Sequence, residues 1–387
     1  MRLLFAARAI NAMAGGVERM IITIMNGLIE RGHEIDLLTW DQAGATAFYP
    51  MAPQITWHRL NLGDPSIKAS PRLILKRAAK TRTLVANRQP EAIVAFQDGP
   101  FRALRAYTAG LDIPVIAAER SAPTGFDHTR NGRRRKSIVF NSFRFAASVV
   151  IQCESYRAHY PAWLHKRIVT IPNPVRPAGR FAQPAKPDAS GRFVLLSVGR
   201  LSFQKNYECL INAFALVSAR FPDWDLMILG EGESREKLER MIEQTPEPHR
   251  IRLPGPVSDP ERYYPEAHIF CLPSRWEGFP NALAEALAHG LPAIGFADCS
   301  GVNELINHGI DGFLVPGNGD THGLAHALSR LMGDETLRTN MGSAACAISD
   351  KYRPDAILDL WEKTIFRSRQ RNEIACHQGI VAPRRWG

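Results

Sequence analysis

Residues 3–40 read LLFAARAINAMAGGVERMIITIMNGLIERGHEIDLLTW. The stretch 3–7 is short and wholly apolar, as a strand buried on both faces requires. A glycine pair, Gly15-Gly16, follows. Val17, Met20, Ile21, Ile24 and Leu28 then recur at spacings of three and four, the period of a helix with one buried stripe. Arg31-Gly32-His33 breaks that pattern, and 35–40 reads as the next strand. Strand, glycine loop, helix, strand is one βαβ unit, which needs a parallel sheet and places the loop at the carboxyl end of its first strand.

The same alternation continues outward. Runs at 92–96, 115–118 and 149–153 are further strand candidates separated by helix-length segments, so the first half is expected to be doubly wound. Between 171 and 192 the chain reads IPNPVRPAGRFAQPAKPDASGR, five prolines with no periodicity. This is linker composition. The expected division is a first domain at 1–175, a linker at 176–191 and a second domain at 192–387, with the tail after about 361 able to pack back on the first. In the second half βα alternation restarts at 193–198 and continues with strand candidates at 225–229, 251–253, 269–272, 293–296 and 313–315. The expected fold class is α/β, two Rossmann-like doubly wound domains facing a central cleft, with ligands outside the carboxyl ends of the strands.

A chain of 387 residues is long for one core, and its 45% hydrophobic and 22% charged content is ordinary for a globular protein. Six cysteines lie scattered with no CxxC pair, and read as reduced thiols of a cytoplasmic protein. No apolar run approaches the roughly 18 residues of a membrane span. The net charge of +10 is uneven: residues 1–176 hold 25 Lys+Arg against 12 Asp+Glu. That asymmetry points to a polyanionic partner for the first half. Its densest cluster, Arg133, Arg134, Arg135 and Lys136, precedes Ile138, Val139, Phe140, Phe143 and Phe145, the composition of an interfacial helix on an anionic membrane. A solvated helix start is the alternative.

Chemistry concentrates at residues 274–292, SRWEGFPNALAEALAHGLP. Glu277 falls in the loop after a strand, and Glu285 about one turn inside a helix whose unpaired amides begin near Asn281 and Ala282. Such amides and the helix dipole suit a pyrophosphate. An isolated pair of glutamates eight apart is usually ordinary helix-start chemistry. Here Gly199-Arg200-Leu201, followed by Lys205 and Asn206, adds two cations at the mouth of the same crevice. Fixed cations stabilise the charge that develops on a departing diphosphate, the task a divalent metal performs elsewhere, and no convincing DxD metal motif is found.

Taken together, these motifs closely resemble glycosyltransferase family 4, retaining enzymes of GT-B fold. The likeness runs through Ala14-Gly15-Gly16-Val17-Glu18, Ile171-Pro-Asn-Pro174, Gly199-Arg-Leu with Lys205-Asn206, Leu229-Gly-Glu-Gly-Glu233, Leu253-Pro-Gly255, the two glutamates, and Gly301-Val-Asn-Glu304 with 311–315. The resemblance implies that Arg200 and Lys205 bind the diphosphate, Glu277 the transferred sugar, Glu285 the ribose, and the amides of Asn281 and Ala282 phosphate and sugar. It gives Leu253 and Pro254 the base, Gly230 the wall behind it, Phe279 a part in donor selection, and Gly15 and Gly16 a close approach to the donor. Many members carry a histidine after the strand matching 115–118. Here Glu119-Arg120-Ser121-Ala122-Pro123 stands there, similar to a subset that extends lipid-linked glycans, and Glu119 or Arg120 is the candidate for positioning acceptor or sugar.

The expected activity is metal-independent, retaining transfer of a hexose or N-acetylhexosamine from a nucleotide diphosphate sugar, with UDP favoured. No cofactor is expected. The expected partners are that donor, a lipid-linked or polysaccharide acceptor and an anionic membrane surface, at the cytoplasmic face of the membrane. A UDP-sugar 2-epimerase of the same fold and a basic nucleic-acid-binding protein are the rivals; the second lacks aromatics interleaved with its charge, and no nucleic-acid partner is expected.

Overall fold

The computed structural model describes every residue except Ala14, Thr129, Ser258 and 378–387. Ala14, part of the expected glycine loop, and the end of the tail thus lie outside the described residues. The chain divides into two compact units, Met1–Asn173 with the chain from Asp355 onward, and Pro174–Pro354.

The first unit is built on seven parallel strands: β1 (Arg2–Ala7), β2 (Glu34–Thr39), β3 (Thr56–Arg59), β4 (Ala92–Phe96), β5 (Val115–Ala118), β6 (Val149–Ile151) and β7 (Ile168–Thr170), in the order β3-β2-β1-β4-β5-β6-β7. β1, β4 and β5 are buried along almost their whole length, which is why they read as unbroken apolar runs. The strand order reverses between β1 and β4. Helix Gly16–Glu30 opens directly after the β1 loop with Gly15 as its N-cap.

The second unit repeats the plan with β8 (Phe193–Val198), β9 (Trp224–Leu229), β10 (Ile251–Gly255), β11 (Ile269–Leu272), β12 (Ala293–Phe296) and β13 (Gly312–Val315), ordered β10-β9-β8-β11-β12-β13 and again all parallel. Its reversal lies between β8 and β11. The polar loops after these two strands therefore share one crevice at the carboxyl edge of the sheet.

One segment differs from its sequence reading. The proline-rich stretch expected to link the domains is fastened to the second unit: the Val175 amide donates to the Tyr352 carbonyl at 2.9 Å, Ala182 to His289 at 2.8 Å, and the buried Arg338 guanidinium to the Pro184 carbonyl at 2.8 Å. Proline removes backbone donors, and the remaining groups find partners outside any ladder. At the other end, helix Pro354–His377 belongs from Asp355 to the first unit. Trp361 is fully buried there, its ring centroid 6.1 Å from that of Phe96, while Arg369 pairs with Glu91. Cys153, Cys209, Cys271, Cys299 and Cys346 are free thiols.

Candidate functional site

The crevice of the second unit is assembled from the two loops at its strand reversal. After β8, Gly199 and Arg200 lead into a short helical turn, Phe203–Lys205, closed by Asn206 in a left-handed conformation at φ 55°. After β11 comes Ser274-Arg-Trp-Glu277. Backbone bonds hold the loops together: the Arg275 amide donates to the Gln204 carbonyl, and the Gln204 side-chain amide to the Trp276 carbonyl, both at 2.8 Å.

That register sets Lys205 Nζ 2.7 Å from Glu277 Oε1, and the Ser274 hydroxyl donates to the same oxygen at 2.5 Å. Both ionic side chains are largely shielded, 15% and 7% exposed. A shielded carboxylate held by an ammonium and a hydroxyl is fixed in orientation, which a group that must address sugar hydroxyls needs. Arg200 is exposed and has no side-chain partner among the described residues, leaving its guanidinium available to an anion.

Helix Asn281–Ala288 begins beside Glu277, capped by Pro280 without a side-chain bond. The Asn281 amide donates to the Phe279 carbonyl at 2.9 Å, and Leu283 and Ala284 donate to Pro280 at 3.0 Å. Among the described residues, the Ala282 amide is left without an acceptor. This is an N-terminal donor of the kind that receives phosphate. Phe279 itself is buried edge-on to Tyr352, ring centroids 5.7 Å apart. Glu285 is the fifth helix residue, and its Oε2 accepts from the Tyr264 hydroxyl at 2.8 Å.

The wall comes from the loops after β9 and β10. The Gly230 amide donates to the Gly255 carbonyl at 3.0 Å, and Gly230 adopts φ +145°. A Cβ there would lie 2.0 Å from the Gly199 carbonyl oxygen, so only glycine lets the two loops touch. Arg235, ion-paired with Glu231 and Glu239, reaches the Leu253 carbonyl at 3.4 Å, while Pro254 is exposed next to it.

In the first unit, Gly15 and Gly16 stand at the carboxyl end of β1 and Glu119 and Arg120 at that of β5. Both charged residues are buried. Burial, reinforced by Asp98, pushes the Glu119 carboxyl up to about 8 against the opposing pull of Arg120, Arg135 and Arg102. Burial likewise lowers Arg120 to about 9, against Glu119. Among the described residues Glu119 Oε1 and Arg120 Nε and Nη2 have no hydrogen-bond partner, and Arg120 Nη1 reaches Asn173 Oδ1 at 3.5 Å. The Arg120 guanidinium lies 5.2 Å from the Trp361 ring centroid.

The basic cluster lies on helix Arg130–Ser142, with its charge partly neutralised. Arg135 pairs with Asp98 and Lys136 with Asp127, each at 2.8 Å, and Arg133 donates to the Asp127 carbonyl at 3.0 Å. Arg130 and Arg134 are exposed and have no side-chain partner among the described residues, followed by Ile138, 61% exposed, and Phe145, 60% exposed. Among the described residues no helix is long and apolar enough to cross a membrane.

Sequence reasoning gave Ser274, Gln204, Tyr264 and Asp98 no role. Ser274 was within the quoted motif and its offset of three from Glu277 was a usable signal. The other three act across 21 to 72 residues of chain, a separation no local pattern encodes.

Residues 14–178 match the family described as Glycosyltransferase Family 4, and 180–347 that described as glycosyl transferases group 1. An uncharacterized glycosyltransferase of Haemophilus influenzae is 26% identical over 90% of this chain and 96% of its own length. LpsE of Rhizobium meliloti, named a lipopolysaccharide core biosynthesis glycosyltransferase, is 26% identical over 90% of this chain and 94% of its own. Anabaena HepE, solved in complex with UDP, superposes with a TM-score of 0.73 at 18% identity over 94% of this chain and 99% of its own. With both halves matched in sequence and both sheets in the order the fold requires, the chain belongs to the family 4 glycosyltransferases of GT-B architecture.

Proposed function

We propose that this glycosyltransferase moves a hexose or N-acetylhexosamine from a UDP-sugar, with retention and without a divalent metal, to a lipid-linked or polysaccharide glycan at the cytoplasmic face of the membrane. The observation that carries the donor half is the convergence of Arg200, Lys205, Glu277 and the Ala282 amide at one strand reversal. UDP is supported by its presence in the complex of Anabaena HepE, and a glycan acceptor by the name of Rhizobium LpsE. The exposed Arg130, Arg134, Ile138 and Phe145 support a membrane face.

In this reading the acceptor hydroxyl attacks the anomeric carbon on the side from which the diphosphate departs. The bond from that carbon to the phosphate oxygen breaks, the new glycosidic bond forms, and the acceptor proton passes to the departing phosphate. Arg200 and Lys205 offset the charge growing on the diphosphate, a contribution of about 3 kcal/mol per fixed donor. The Ala282 amide holds a phosphate oxygen. Glu277, oriented by Lys205 and Ser274, holds sugar hydroxyls, and Glu285, oriented by Tyr264, holds the ribose diol. Buried Glu119 and Arg120 position the acceptor side.

Thermal-shift titration with UDP, GDP and their sugars, with and without EDTA, tests the donor reading. Stabilisation by uridine nucleotides that EDTA leaves unchanged is expected. Stabilisation only by guanosine nucleotides overturns the UDP assignment, and loss of the shift with EDTA overturns metal independence. Nucleotide release without any acceptor would favour the epimerase, and an inverted anomeric proton coupling in the product would end the retaining mechanism.

A further inference from the structure

Among the described residues of the first unit, a second group of exposed cations without side-chain partners lies on and just before a different helix from the one the sequence pointed to. Helix Pro71–Arg88 carries six basic residues and no acidic one. Four of the six have internal duties. Arg77 donates to the Leu62 carbonyl at 2.7 Å and Lys80 to Leu60 at 2.7 Å; Arg82 donates to Tyr107 and Ala109 carbonyls, and Arg88 pairs with buried Asp36 at 2.9 Å. Arg72 and Lys76, with Lys68 just before the helix, are exposed and have no partner among the described residues.

Aliphatic side chains stand among these cations. Ile67 is 66%, Ile74 43% and Leu75 70% exposed. Leu75 and Lys76 come three and four residues after Arg72 and flank it on the outer face of the first two turns. The inner face is occupied by Arg77, Thr81 and Val85, all buried. Arg72 also sits in the first turn, where the helix dipole disfavours a cation and where only Ser70 supplies a cap. Neither arrangement helps the fold.

Connectivity puts this surface one helix away from the other basic helix. Helices Pro71–Arg88, Asp98–Tyr107 and Arg130–Ser142 each follow a strand and start at the carboxyl edge of the sheet. Arg82 bonds the end of the middle helix, and Asp98 at its start pairs with Arg135. The three helix starts are therefore ranged along one edge.

We infer that the start of helix Pro71–Arg88, through Lys68, Arg72 and Lys76 with Ile67, Ile74 and Leu75, is a contact for an anionic phospholipid leaflet. This deepens the membrane part of the proposed function and rests on it. Cations meet the headgroups, and the aliphatic side chains enter the interface between them. A single-stranded nucleic acid would call for stacking aromatics, which this surface lacks, and a backbone-bound duplex gives the exposed Ile67, Ile74 and Leu75 nothing to enter.

Co-sedimentation with phosphatidylcholine vesicles, with and without phosphatidylglycerol, is the test. Neutralising the three charges together, as Lys68→Ser, Arg72→Ser and Lys76→Ser, should weaken binding to anionic vesicles about a hundredfold. The pair Ile74→Ser and Leu75→Ser should remove the binding that survives high salt. Far-UV circular dichroism and the unfolding midpoint check that each variant is folded, and Arg130→Ser with Arg134→Ser provides the comparison on the other helix. If the wild type binds anionic vesicles and both new variants bind equally well, the inference is overturned while the membrane reading stands. If the wild type itself fails to bind, the membrane reading falls and this inference with it. A change of oligomeric state in the triple variant with vesicle binding intact would point to a protein partner and also overturn it.

Discussion

Lys205 Nζ lies 2.7 Å from Glu277 Oε1, so the residue expected on the diphosphate and the residue expected on the sugar are one ion pair. Removing either member disturbs the other. Lys205→Ala and Glu277→Ala should each lower turnover at least about a hundredfold, and the double variant should lose less than the product of the two losses. Each single change should also lower the unfolding free energy by about 3 kcal/mol, because it leaves a shielded charge without its partner. Steady-state turnover and urea titration of the three variants read both effects. Near-normal turnover in either single variant would remove the pair from the mechanism.

Arg200 provides the contrast. It is exposed and makes no side-chain bond among the described residues. Arg200→Ala should therefore change stability by less than about 0.5 kcal/mol while reducing turnover roughly a hundredfold. A variant with normal stability and normal turnover would show that Arg200 is only a solvated turn residue.

The sequence made the βα repeat legible because parallel strands buried on both faces are written as continuous apolar runs; 92–96, 115–118, 193–198, 269–272 and 293–296 coincide with β4, β5, β8, β11 and β12. The edge strands β3, Thr-Trp-His-Arg, and β7, only three residues, carry no such run. Helix Pro354–His377 was not read from the sequence, and no local pattern there says that Trp361 packs beside Phe96. The basic cluster at Arg133–Lys136 was equally visible, yet charge in a sequence is not free charge. Asp98 and Asp127 take up Arg135 and Lys136, and both partners come from outside the run.

Tyr264 orients Glu285 through a 2.8 Å bond from its hydroxyl. Tyr264→Phe keeps the buried ring and deletes the donor, a change of about 1 kcal/mol. If Glu285 holds the ribose in both ground and transition states, KM for the donor should rise about fivefold with kcat little altered. A fall in kcat at constant KM would place Glu285 elsewhere in the reaction.

Gly230 tests the wall. A methyl group there would lie 2.0 Å from the Gly199 carbonyl oxygen, at a φ of +145° that alanine does not favour. Gly230→Ala must push apart the loop that carries Arg200, and donor affinity measured by calorimetry should fall at least about tenfold. Unchanged affinity would show that the loops part without moving Arg200.

Glu119 gives the protein a pH dependence of a definite sign. Its carboxyl is raised from an ordinary 4.5 to about 8, by burial first and Asp98 second. Between those values the unfolded chain has released the proton and the folded chain still holds it, so raising the pH favours unfolding; above about 8 both forms are ionised and the loss is complete. Arg120, lowered from its ordinary value to about 9, acts in the opposite direction at higher pH, since the unfolded chain then binds the extra proton. Glu119→Gln cannot ionise. Its unfolding free energy relative to the wild type should therefore climb steadily from pH 5 to pH 8 and level off beyond. Urea titrations of both proteins across that range measure the difference directly. Parallel curves would mean that Glu119 is solvated in the folded protein, and the acceptor-side role given to the buried pair would lose its physical basis.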